Sequence, residues 1–151
     1  MHTGQVTLVP HITVKGGRAA IEFYKKAFGA EEVGVSTAPN SELIMHAAVR
    51  IGQSMLYLSD AFPEMGDMAP QAPNSAFVLN LDVPDAKAMY DQAVAAGATI
   101  KMPLEDTFWG ARYAQLVDPF GHMWAIHQQL SKPSEAEIAK AAEAFYKPSN
   151  S

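Results

Sequence analysis

The sequence predicts an α+β domain of two tandem β-α-β-β-β modules, their curved mixed sheets set around a cleft, with a separate C-terminal helix. Three observations predict it. Two segments with helical spacing of apolar residues each lie between runs of strand composition. The stretch "AIEFYKKAFGA" at 20–30 lies over "AMYDQAVAAGA" at 88–98, with Gly29-Ala30 on Gly97-Ala98, and Gly52 of "RIGQSMLYL" lies over Gly121 of "DPFGHMWAI". Each half then has one helix and enough strands to bury it. The domain is assigned to residues 1–130, with module one at 5–60, module two at 75–130, and a helical tail at 131–151.

Residues 5–14, "QVTLVPHITV", have a β-rich composition and end in the turn "KGG". Pro10 suits an edge or an irregularity because it cannot donate to a ladder. The helix that follows carries Ile21, Tyr24 and Phe28 at helical spacing, widened by Phe23 and Ala27, and stops at Gly29. "EEVGVSTAP" and "SELIMHAAVRIG" read as strands, and "GQSMLYLSD" as a third after a turn at Gly52. Residues 60–75 are Pro-rich, acidic and aperiodic, an irregular connector. "AFVLNLDV" opens the second module as a strand. Pro84 then starts a helix at Asp85, with Ala88, Tyr90, Val94 and Gly97 on its pattern. "TIKMP" reads as a short strand, "EDTFWG" as a loop, "ARYAQLVD" as a strand, "PFG" as a turn and "HMWAIHQQ" as the last strand. In the tail, Ser134 and Glu137 make a capping box for a helix with Ile138, Ala142 and Phe145 as its apolar positions.

Composition excludes several classes of function. The net charge is -5 and "YKK" at 24–26 is the nearest approach to a basic patch, so nucleic acid is not an expected partner. No apolar run reaches the length of a membrane span, and "MHTGQVTLVP" lacks the charged start and apolar core of a signal peptide. The chain has no cysteine, hence no thiol nucleophile and no thiolate metal site, which suits a reducing cytoplasm. Charged residues make up only 18%, below the roughly 25% usual for such chains. That deficit points to extra buried surface such as a subunit interface.

The stretches "AAIEFYKKAFGAEE" at 19–32, "MHAAVRIGQSMLYLSD" at 45–60 and "FWGARYAQLVDPFGHMWAIH" at 108–127 resemble the vicinal-oxygen-chelate superfamily, the glyoxalases, bleomycin-resistance proteins and extradiol dioxygenases, and within it the PhnB-like branch. The resemblance covers most of residues 5–130. It implies a cleft between modules, a homodimer of swapped or paired modules, and either a divalent metal that chelates adjacent substrate oxygens or metal-free binding of a drug. The family's metal positions fall on Val9, Leu56, Ala76 and Ala125. None of these side chains binds a metal.

Histidines nearby offer other donors. By alternation His11 shares a face with Val9, and His127 with Ala125 and Met123, so all three of His11, Met123 and His127 are expected to look into the cleft. His11 and His127 read either as polar residues contacting a ligand or as part of a displaced metal site for zinc, iron, nickel or manganese. His46, placed on one face with Ile44 and Arg50, reads as a core or interface residue, and His122 as a turn or sheet-packing residue. His2, near the chain start, is given no role. Phe108 and Trp109 line a pocket or plug a core. Arg112 either clamps an anionic oxygen or pairs with Asp118 or Glu105. Asp118, Pro119 and Gly121 form the turn, and Trp124 packs against the helix layer.

The expected function is therefore binding of a small organic molecule by His11, Phe108, Trp109, Arg112, Met123 and His127, without a cofactor. The alternative is a metal-dependent lyase, isomerase or dioxygenase acting on a substrate with vicinal oxygens.

Overall fold

The computed structural model describes residues 4–146; His2 and the last part of the expected tail, 147–151, lie outside them. Module one consists of strand β1 (His11–Val14), helix α1 (Gly17–Phe28) and strands β2 (Glu31–Thr37), β3 (Ile44–Ile51) and β4 (Ser54–Asp60). Module two repeats it with β5 (Asn74–Asp82), α2 (Ala86–Ala96), β6 (Thr99–Asp106), β7 (Ala111–Val117) and β8 (His122–Gln129). The two sheets have the same order, β1-β4-β3-β2 and β5-β8-β7-β6. In each, the first and last strands of the module run parallel side by side and the other pairs are antiparallel. The chain thus has the tandem mixed-sheet α+β architecture that the repeat predicts. No helix among the described residues is long and apolar enough to cross a membrane.

Helix α1 forms where the apolar stripe requires it. Ala20, Ile21, Phe23, Tyr24, Ala27 and Phe28 are all buried, and Gly29 closes the helix at φ 70°. Its start is less usual. The chain offers no Ser, Thr or Asp at the cap, and Gly16 stands there at φ 96°. The free N–H groups of Gly16 and Gly17 instead donate to Asp60 Oδ1 at 3.0 and 2.8 Å, from the end of β4. Asp60 Oδ2 accepts from Ile44 N at 2.7 Å, so one buried carboxylate joins α1, β3 and β4. Asp60→Ala is expected to lower stability by about 2–3 kcal/mol, the cost of orphaned N–H groups. A urea titration checks this, with the midpoint lowered and the slope unchanged.

Both helices share one core. Tyr24 and Phe28 of α1 lie 5.4 and 4.4 Å, centroid to centroid, from Trp124 of β8, so Trp124 packs on the helix layer as expected. Leu58, Val49 and Ala47 line the helix side of sheet one, and Leu116 and Ile126 that of sheet two. The buried face of α2 runs through Ala86 and Ala93 with Met89, Tyr90 and Val94 half-buried, while Ala88 is exposed, which corrects the expected stripe. Asp85 is its cap rather than its first residue, accepting from Ala88 N at 3.1 Å.

Three boundaries also differ from the expectation. Strand β1 begins at His11 and not at residue 5, because Pro10 has no N–H for the ladder; only its carbonyl is used, by Tyr57 N at 2.9 Å. Strand β6 runs on through Pro103 to Asp106, so the loop shrinks to residues 107–110. Pro103 is tolerated because β6 is an edge strand, with register breaks on both sides of Met102. In β3 the register slips between Thr37↔Ile44 and Ser36↔His46. This bulge sends Ile44 into the core and leaves His46 exposed on the other face, so the two do not share a face.

The tail helix α3 (Glu135–Phe145) has the expected capping box between Ser134 and Glu137. Ile138 and Ala142 are half-buried, and Phe145, although 76% exposed, sets its ring 5.2 Å from that of Phe108.

Candidate functional site

Each sheet packs one face under the helices, and the polar and aromatic candidates gather on the face away from them, where His11 and His46 are exposed and Tyr57, Tyr113 and His127 are half-buried. In sheet one, pairing of His11 with Tyr57 and of Tyr57 with Ala48 brings three strands together. The His11 and His46 rings lie 6.0 Å apart, His46 stands edge-on to Tyr57 at 4.8 Å, and His11 Nε2 is 3.1 Å from Ser59 Oγ. A cavity of about 630 Å³ beside this cluster is lined by His11, Thr13, Gln71, Phe77 and His122 among others.

In sheet two the equivalent face carries His127, opposite Asp82 of β5 and Tyr113 of β7. His127 Nδ1 lies at an ion-pair distance of 2.9 Å from Oδ1 of the largely exposed Asp82, and that oxygen accepts from Asn80 Nδ2 at 3.0 Å. Rings continue from there: Tyr113 is 6.5 Å from His127 and 5.8 Å from Trp109, and Trp109 is 5.0 Å from Phe108. Gln115 donates to the Tyr113 hydroxyl at 2.8 Å. A cavity of about 420 Å³ here is lined by Asp82, Val83, Pro84, His127, Gln128 and Gln129.

The structure therefore brings some expected residues together and separates others. Phe108, Trp109 and His127 belong to one chain of rings. His11 and His127 line different cavities. Met123 lies on the His127 face by register but is 2% exposed, with the Lys101 amine 3.5 Å from its sulfur. Arg112 pairs with neither Asp118 nor Glu105. Its guanidinium donates to Asp106 at 2.8 Å, the residue opposite it across β6 and β7, and that hydrogen bond holds the Asp106 carboxyl below the usual carboxylate range. His122 is buried and contacts the Thr13 carbonyl at 2.8 Å, joining the modules as a packing residue. Asp118 caps the turn, accepting from Phe120 N and His122 N at 2.8 and 3.0 Å.

Sequence reasoning missed Asp82, Tyr113, Tyr57 and Ser59. The parallel pairing of a module's first and last strands was the available signal, since it sets the end of β5 beside the end of β8.

Among the described residues no three His, Asp or Glu side chains converge on one point. The donors among the described residues do not fit a metal with three protein ligands.

The architecture defines a class: a paired-module α+β protein of two similar four-stranded mixed sheets. The chain belongs to the Glyoxalase/Bleomycin resistance protein/Dioxygenase superfamily, whose family model matches residues 3–126. An uncharacterised protein of Mycobacterium bovis, Mb0911c, is 39% identical over 138 residues, covering 89% of this chain and 90% of its own. The crystal structure of protein PA1353 from Pseudomonas aeruginosa matches with a TM-score of 0.66 at 25% identity, over 84% of this chain and all of that one. The structure of a Bacillus cereus PhnB protein, described as a putative 3-demethylubiquinone-9 3-methyltransferase, matches with a TM-score of 0.63 over 82% of this chain and 99% of that one. At 16% identity its likeness is one of fold.

Proposed function

We propose that the protein binds a small organic molecule on the open sheet faces, with His11 and His127 as polar contacts and Trp109 and Phe108 as apolar ones. One observation carries this reading. In both sheets, imidazole and tyrosine side chains stand together, exposed or half-buried, on the face away from the helices, where the helix-packed core needs none of them. The binding cleft is completed in a homodimer, with module one of one copy over module two of the other. The exposure of Val6 (99%), Leu8 (94%) and Phe77 (47%) along the β1 and β5 edges supports such pairing. The absence of cysteine supports a cytoplasmic setting.

Binding of this kind requires no resident metal. A thermal-shift screen against small organic compounds tests it, using the wild type beside His11→Ala and His127→Ala. A true ligand at a hundredfold excess over its Kd adds about 2.7 kcal/mol, worth several degrees in Tm, and each variant is expected to lose most of that gain. Size-exclusion chromatography with light scattering is expected to give a dimer. Near-stoichiometric metal in chelator-free protein, lost in both variants, would replace this reading with the metal-dependent enzyme.

A further inference from the structure

We propose that residues 68–73 are a strap over a ligand site at the junction of the two modules. The site takes a neutral molecule with an amide or hydroxyl group, whose hydrogen His122 Nδ1 accepts. This goes beyond the binding reading above, since of the residues named there only His11 lines the cavity concerned.

Packing explains one nitrogen of His122 and not the other. The residue is 4% exposed, and its Nε2 is hydrogen-bonded to the Thr13 carbonyl of β1 at 2.8 Å. A carbonyl only accepts, so Nε2 carries the hydrogen and the neutral ring has its lone pair on Nδ1. Nδ1 is buried and meets no hydrogen-bonding group among the described residues. A buried acceptor without a donor is costly, so a ring held in this way points to a donor from outside the chain. His122 lines the cavity of about 630 Å³ together with His11, Thr13, Gln71 and Phe77. Among the described residues no Asp, Glu, Lys or Arg lines it, so a charged ligand would lose its solvation there without a partner. The Thr13 hydroxyl and the Gln71 amide bond to no other described group, and both can donate to a ligand oxygen. Phe77, 47% exposed, adds an apolar wall.

The strap gives access to that nitrogen. It runs along the same cavity from Met68 to Pro73 and leads into Asn74, which pairs with His122 between β5 and β8. Pro70 lies against the turn before His122, where a Cβ on Gly121 would be 3.0 Å from Pro70 Cβ. Residues 68–72 make no hydrogen bond or ion pair with any described residue, so packing alone holds them. Two further cavities, of about 780 and 570 Å³, are also lined by the strap. A segment with space beside it and no bonds of its own opens at little cost. Lifting it bares the start of β8, a ligand N–H or O–H then reaches Nδ1, and closure returns Pro70 to the turn.

The probes are benzamide and N,N-dimethylbenzamide, the same ring and carbonyl with and without amide hydrogens, measured by equilibrium dialysis near pH 8. The wild type is expected to bind benzamide about fivefold more tightly than the dimethyl amide. Nitrogen NMR of the histidine rings is expected to show the His122 Nδ1 signal shifted by benzamide, and the amide hydrogens of Gln71 and Ala72 are expected to exchange more slowly in its presence. His122→Gln keeps a donor for Thr13 but removes the acceptor, and is expected to equalise the two amides. Equal binding of the two by the wild type would overturn the site, as would a preference that survives His122→Gln. If that variant does not fold, the wild-type nitrogen signal decides alone. Benzamide binding that shifts His127 in place of His122, or that leaves exchange in the strap unchanged, would overturn it too. Binding of neither probe overturns the ligand class, and the thermal-shift screen decides the open-face reading separately.

Discussion

Asp118→Ala is expected to lower the stability of the fold by about 3–5 kcal/mol, as removal of one member of a buried charged network does. Asp118 is 4% exposed and accepts four hydrogen bonds. Its Oδ1 holds the turn through Phe120 N and His122 N. Its Oδ2 receives the Tyr24 hydroxyl at 2.6 Å and Trp124 Nε1 at 2.9 Å. The carboxylate thereby ties α1 of module one to the last strand of module two. Asp118→Asn keeps the shape but turns an amide N–H₂ toward donors, so its cost is expected to fall between wild type and alanine. Chemical denaturation of the three proteins orders them, and an alanine variant as stable as wild type would show that the network holds nothing.

The same contact makes an alkaline prediction. Burial, reinforced by the charge of Asp118 and the hydrogen bond to it, raises the Tyr24 phenol well above its usual value. Below about pH 10 both the folded and unfolded chains hold that proton, and the contribution is fully present. Above it the unfolded chain ionises while the folded chain does not. The unfolded state then binds fewer protons, so stability falls as pH rises, by up to about 1.4 kcal/mol per unit. Tyr24→Phe removes this slope. Urea midpoints taken near pH 8 and near pH 10.5 are expected to separate further in the wild type than in the variant.

The sequence made helix α1 legible because its information is local: Ile21, Tyr24 and Phe28 recur at one helical spacing, and Gly29 follows at once. Trp124 was placed correctly on the same ground, since alternation in an unbroken strand needs only its neighbours. His46 was not. Its face depends on a bulge, and the bulge depends on Asp60 bonding the Ile44 N–H from another strand. Alternation counted along residues 44–50 cannot contain that. The end of β6 was hidden for a related reason, because Pro103 reads as a stop unless the strand is known to be an edge. At the site, His127 was visible as a histidine on a strand, but Asp82 was not singled out beside it. Their meeting is a matter of register between the ends of β5 and β8. The Arg112 partner shows the same limit: Asp106 lies across a strand pair whose length the sequence did not give.

Gly110→Ala is expected to cost about 3 kcal/mol, combining a left-handed backbone with overpacking, and to loosen the aromatic side of the site. Gly110 has φ 84°, and a Cβ there would lie 2.7 Å from the Ser131 carbonyl oxygen and from Pro133 Cδ. These obstacles are a backbone carbonyl and a proline ring, so neither can swing aside. The carbonyl of Gly110 also accepts from Leu130 N at 2.8 Å and Ser131 N at 3.0 Å, which seats the start of the tail on the loop that carries Phe108 and Trp109. The ring of Phe145 of α3 lies 5.2 Å from that of Phe108. An added methyl group must push the tail away or shift the loop. Either movement exposes Trp109, whose ring sits against Tyr113 and thus next to His127. The expected readouts are a red-shifted Trp109 emission, with Trp109→Phe as the reference for the buried Trp124, and faster proteolysis between residues 129 and 135. Unchanged emission and proteolysis with the full loss of stability would mean that the tail and the loop are not coupled, and that the tail helix has no part in shaping the site.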